Sequence, residues 1–226
     1  MKKFFLNPFS FLLLTCVSLF VFYSCIDQKL APSQDNTLAD PAIASSSNNA
    51  NTTVAPLFNK NVGRPIDGNV GRGWINNFKK ANSNVAVSYV IQSTVIKEIL
   101  TNTACVGIFL YYAQDGNNQL HILPLGIDAS GKIIQTKSVA IENGTIDWLT
   151  SMQWIDNYHG PVRAHFMGAN MLLSLTAAQN STAVRTSRAL DDKGNPQLLL
   201  SNASDPMPAT YADDTWRCPG GICPTN

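Results

Sequence analysis

The chain has 226 residues with 16 basic and 15 acidic side chains, a net charge of +1. Only 14% of it is charged, against about 25% in a typical soluble domain, while Asn (22), Ser (18) and Thr (16) fill the gap. The near-neutral balance excludes a basic field for nucleic acid, and a 45% hydrophobic content excludes disorder throughout.

The N-terminus reads as an address. Met1-Lys2-Lys3 is a basic start, Phe11 to Tyr23 is mostly apolar, and Ser24-Cys25 ends the run. Basic start, apolar run and small residue before a break is the layout of a signal peptide over residues 1–24. A mostly apolar run of thirteen residues falls short of the ~20 that a spanning helix needs. Cleavage before Cys25 resembles bacterial lipoprotein processing, in which the new N-terminal Cys is lipidated. Ser24 fits that pattern, whereas Phe22 stands where Leu is preferred. Cys16 is the rival acceptor, but it leaves apolar Val17 to Tyr23 on the mature chain. A plain secretory signal or an uncleaved anchor is the alternative.

Residues 25–65 then read as the lipidated Cys and a disordered tether, because Ala44 to Thr53 is a low-complexity run with nothing to bury. A flexible coil of ~40 residues reaches roughly 35 Å. The expected partner is a membrane, through the lipid. The expected place is the cell envelope, at the outer membrane, with a secreted or periplasmic protein as the alternative.

A duplicated region follows over residues 66–201. Ile66 to Phe78 and Ile146 to Tyr158 share Ile, Asp, Trp, Ile and Asn at an offset of 80 without a gap. Further matches follow in order, as in a duplicated unit. Ile91, Val95, Ile96 and Ile99 match Met167, Met171, Leu172 and Leu175, and Gly116-Asn-Asn-Gln-Leu120 matches Gly194-Asn-Pro-Gln-Leu198. Asp67 and Asp147 stand at N-cap positions before apolar residues at helical spacing. Ile91, Val95 and Ile99, with Ile96 and Leu100, predict a second helix. Cys105 to Ala113 predicts a buried strand, Gln119 to Ile127 its hairpin partner, and Lys132 to Ile141 a third strand.

These elements predict an α+β fold, two tandem helix-helix-β-hairpin repeats (about 66–127 and 146–201) packed as a pseudo-twofold single domain. In the second copy Ala183 to Leu190 carries Arg185, Thr186, Ser187 and Arg188. A strand so polar is expected at a sheet edge or beside a groove. Residues 202–226 form a turn-rich tail with Cys218 and Cys223, expected to wrap the surface.

Trp154-Ile-Asp-Asn-Tyr158, Val162-Arg-Ala-His-Phe166, Cys105-Val-Gly-Ile-Phe-Leu-Tyr-Tyr112 and Asp191-Asp-Lys-Gly-Asn-Pro-Gln-Leu198 carry a resemblance. With Gly126-Ile-Asp-Ala-Ser-Gly131 and the terminal Cys-Pro pairs, they resemble a group of uncharacterised bacterial envelope proteins. Those share a CVGIxxYY-type strand, a GVDAxG-type turn and a Cys-Pro-rich end. Here Phe109 stands where a basic residue is usual, and four residues rather than two separate the terminal cysteines. The resemblance implies an architecture and no activity.

Candidate sites are few. Cys218 and Cys223 flank Pro-Gly-Gly-Ile and could close a small disulfide in an oxidising envelope, with free thiols or a metal as alternatives. Cys105 reads as a small buried hydrophobe, or as a nucleophile if a base lies beside it. His159 and His165 lie near Asp156, but Gly160-Pro161 breaks any helix between them. Arg163, Arg185 and Arg188 could hold an anion if they share a face. There is no Gly-x-Ser-x-Gly, phosphate loop, dinucleotide fingerprint or calcium loop, so no catalytic residue, metal or cofactor is assigned. The expectation is a lipid-anchored envelope protein that binds or scaffolds an envelope protein or a small anionic ligand. The alternative is an envelope hydrolase or thiol enzyme using Cys105 or the His159/His165 region.

Overall fold

The computed structural model describes residues 58–178, 180–213 and 216–219. The signal segment, Cys25, Cys223 and the Cys218 side chain lie outside the described residues. Eleven strands and four α-helices form among those described. The first half runs β1 (Arg64–Asp67), α1 (Gly68–Ala81), β2 (Ser88–Gln92), α2 (Ser93–Leu100), β3 (Gly107–Gln114), β4 (Leu120–Ile127) and β5 (Ser138–Ile141). The second half runs β6 (Gly144–Asp147), α3 (Trp148–Asn157), β7 (Val162–Gly168), α4 (Ala169–Ala177), β8 (Ala183–Leu190), β9 (Pro196–Asn202), β10 (Thr210–Asp213) and β11 (Trp216–Pro219).

This overturns the helix-helix-β-hairpin repeat and the fold class built on it. The chain is rich in sheet, and a strand directly precedes every helix. The strand before α2 is the instructive miss. In Ser88-Tyr-Val-Ile-Gln92, Tyr89 and Ile91 are buried and the other three are exposed, a period of two. Ile91 therefore belongs to a strand, and the apolar stripe of α2 begins only at Val95. The caps do form as expected. The Asp67 carboxylate accepts from the Asn69 amide at 2.7 Å, and Asp147 accepts from the Thr150 amide and hydroxyl.

Neither sheet belongs to one half. One has the order β1-β10-β9-β8-β2, the other β11-β7-β3-β4, and β5 pairs with β6 apart from both. First-half β2 pairs with second-half β8, and second-half β7 pairs with first-half β3, all antiparallel. Residues after Ser201 also enter the sheets, since β10 lies between β1 and β9, and β11 pairs with β7. The polar strand β8 is not an edge. It is flanked by β9 and β2.

Side-chain alternation sorts these strands into three cores. Ile108, Leu110 and Tyr112 of β3 meet Val184 of β8 and Leu198 and Leu200 of β9 between the sheets, with Ile96 of α2 and Leu172 of α4. The opposite face of β3 presents Phe109, Tyr111 and Ala113 to Trp148 and Ile155 of α3. The opposite face of the first sheet meets α1 through Ala189, Leu199 and Tyr211, against Trp74 and Ile75. The layers are thus helix, sheet, sheet, helix.

Candidate functional site

The two outer helices cover their sheets differently. Under α3 the space is filled. Phe109 and Phe166 stand 5.4 Å apart, and Phe58 packs edge-on to both at 5.6 and 5.3 Å, a geometry aromatic rings favour. Counted from the start of each eight-residue strand, Phe109 and Tyr111 hold the third and fifth positions of β3, where β8 has Arg185 and Ser187. Both pairs face the outer helix of their sheet. The exchange of two aromatic rings for an arginine and a serine leaves a cavity of about 290 Å³ beneath α1.

Arg72, Ile75, Asn76 and Lys79 of α1 form one wall of this cavity, and Ser88, Arg185, Ser187 and Tyr211 form the sheet wall. Val87 and Pro206 complete it. Three cations line it and no carboxylate does. The guanidinium of Arg185 donates to the carbonyls of Ala203 (2.7 Å) and Asp205 (3.3 Å). That of Arg72 donates to the Pro208 carbonyl (3.0 Å) and to Asn69 Oδ1 (2.7 Å). Neutral oxygens therefore hold both forks in place, and no carboxylate among the described residues pairs with either. The ion pairs among the described residues lie elsewhere, at Arg64–Asp213, Arg163–Asp156 and His121 with Asp115 and Glu142. A planar cation fixed in this way is suited to bidentate binding of a carboxylate, phosphate or sulfate.

The expected arginine cluster does not form. Arg185 lies in the cavity, but Arg188, three positions on, projects from the other face of β8. Its guanidinium carbon stands 4.5 Å from the Phe78 ring centre and 5.4 Å from that of Tyr112, a cation–π arrangement. Arg163 is on β7 in the other sheet, where it donates to the Ile155 carbonyl at 2.7 Å and lies 3.5 Å from Asp156. The companions of Arg185 are instead Arg72 and Lys79 of α1, which no motif marks in the sequence. Their spacing of seven puts them on one face of α1, two turns apart.

His159 and His165 are not brought together. His159 is exposed in the loop after α3, while His165 is fully buried on β7 with Nε2 3.4 Å from the Tyr112 hydroxyl. No group of three His, Cys, Asp or Glu suited to a metal occurs among the described residues. Cys105 is buried, its Sγ donates to the Gly107 carbonyl at 3.2 Å, and burial pushes the thiol up, the opposite of what a nucleophile needs.

A further cluster carried no signal in the sequence. His121 is buried on β4 with Nδ1 3.1 Å from Glu142 Oε2 and Nε2 3.5 Å from Asp115 Oδ2, and its ring stacks on Trp154 at 4.9 Å. A strand, a helix and two turns meet there. None of the protein-family models, characterised proteins or solved structures compared with the chain matches it.

Proposed function

We propose that the chain is a cell-envelope protein held by a lipid on Cys25, and that its folded part binds a small anionic ligand under α1. The anchor rests on the basic start, the apolar run to Tyr23 and Ser24-Cys25. Replacing Cys25 by Ala abolishes incorporation of labelled palmitate, and unchanged labelling refutes the anchor.

The binding reading rests on one observation, the three cations Arg72, Lys79 and Arg185 around one cavity, with no carboxylate paired to them among the described residues. The counterpart space under α3 is packed with aromatic rings. At about 290 Å³ the cavity lies near the lower end of ligand sites, which span roughly 300–1,000 Å³. Ile75, Val87, Pro206 and Tyr211 add apolar walls, so the best fit is an anion on a small apolar body. The test is titration of the mature protein with phenyl phosphate. Loss of one charge-assisted pair in Arg185→Ala weakens binding by about 10- to 100-fold, and added salt weakens it further. Equal affinity in the variant refutes the site. Against the enzyme reading, burial pushes the Cys105 thiol up, and His159 is exposed while His165 is fully buried on β7.

A further inference from the structure

A second cavity, sharing no lining residue with the first, has the opposite charge. It occupies about 210 Å³ between β2, α2, β4 and the β5–β6 hairpin. Val90, Ile91, Val95, Ile122, Pro124 and Ile141 make its walls largely apolar, and Glu142 is the one charged residue among them. A larger cavity of about 440 Å³ adjoins it, with Val95, Pro124, Ala140 and Thr145 lining both. The larger space adds Glu98 and Lys137, so the two together remain net acidic.

Glu142 is held through one oxygen only. Its Oε2 meets His121 Nδ1 at 3.1 Å, and His121 is itself fixed by Asp115 and the Trp154 ring. Its Oε1 is shielded from solvent and receives no hydrogen bond among the described residues. A buried carboxylate oxygen normally has a donor. The last torsion of a glutamate is broad, which lets the carboxylate tilt Oε1 into the cleft.

We infer that this cleft is a second binding site, for a primary ammonium carried on an apolar stem. Glu142 Oε1 takes the ammonium in a charge-assisted hydrogen bond, and the stem lies along Ile91, Val95, Ile122 and Pro124. An anion is disfavoured there, since no cation lines the inner cavity. The occupant is thus complementary in charge to that of the pocket under α1.

The probe is hexylammonium, titrated into the mature protein, with 1-hexanol and hexanoate as isosteric controls. Hexylammonium binds saturably and at least about tenfold more tightly than hexanol, and hexanoate binds no better than hexanol. Binding shifts the His121 imidazole resonances, because that ring touches the carboxylate that receives the ligand. Glu142→Gln loses about tenfold or more in affinity, while Arg185→Ala, in the other cavity, binds hexylammonium as the unaltered protein does. Equal affinity for hexanol, equal affinity in Glu142→Gln, or no saturable binding overturns the inference. If circular dichroism shows Glu142→Gln unfolded, the comparison of hexylammonium with hexanol on the unaltered protein decides it.

Discussion

Two glycines in one turn of α1 give opposite responses to the same substitution. A Cβ built on Gly71 falls 2.3 Å from Cδ2 and 2.8 Å from Cε2 of the Tyr211 ring, whereas one on Gly73 meets nothing within 4 Å. Tyr211 is 6% exposed and packs against Leu199 and Trp74, so its ring has little room to retreat. Gly→Ala in a helix interior gains roughly 0.5–1 kcal/mol from propensity alone. Gly73→Ala keeps that gain, about 1–4 °C in midpoint for a fold of this size. Gly71→Ala sets against it an overpacking cost of roughly 1–3 kcal/mol. Its net effect is a loss of up to about 2.5 kcal/mol and a midpoint lower by up to roughly 10 °C. Because Tyr211 also lines the anion pocket, Gly71→Ala weakens ligand binding and Gly73→Ala leaves it intact. Thermal unfolding of the two variants with and without ligand measures both effects. A gain in stability for Gly71→Ala refutes the close approach of α1 to Tyr211.

Acid sensitivity follows from the caps and turns. The Thr150 hydroxyl, then the Thr150 amide, hold Asp147 below its ordinary value; the Ser130 hydroxyl does the same for Asp128, and the Gln119 amide for Asp115. A carboxyl with a lowered folded value contributes fully above its unfolded value of about 3.9 and loses that contribution as pH falls through the folded value. Stability therefore falls as pH drops below about 4, and Asp147→Ala flattens the dependence; an unchanged acid limb in that variant contradicts the cap. Cys105, buried with its thiol pushed up, resists iodoacetamide at neutral pH until the protein unfolds. Rapid labelling of the folded protein, resolved by peptide mapping, speaks against that burial.

Local chemistry was legible in the sequence and long-range pairing was not. Asp67 and Asp147 announce their helices because a cap bonds within three residues. The hairpin of β3 and β4 is a continuous apolar run closed by a short turn. β1 and β6 escape because they are four residues long and mostly exposed, with partners far away or across a tight turn. β2 escapes because Ile91 completes a helical stripe with Val95 and Ile99 as easily as it completes the alternation with Tyr89. Of the two places expected for the polar β8, the edge fails and the groove holds, since Arg185 and Ser187 line a cavity. A strand with polar residues on one face can lie inside a sheet when that face borders a cavity. Arg185 and Arg188 separate on parity alone. The union of Arg185 with Arg72 and Lys79 crosses more than 100 residues, and that of His121 with Glu142 crosses a hairpin, so neither has a local signature.

The central claim is that Arg72, Lys79 and Arg185, which pair with no carboxylate among the described residues, form a site for a small anion under α1. It is tested most directly by calorimetric titration of phenyl phosphate into the mature protein and into Arg185→Ala, side by side at low salt. The account predicts saturable binding, weakened by about 10- to 100-fold in the variant, with neutral phenol binding more weakly than either. Affinity unchanged by Arg185→Ala, or phenol binding as tightly as phenyl phosphate, contradicts it.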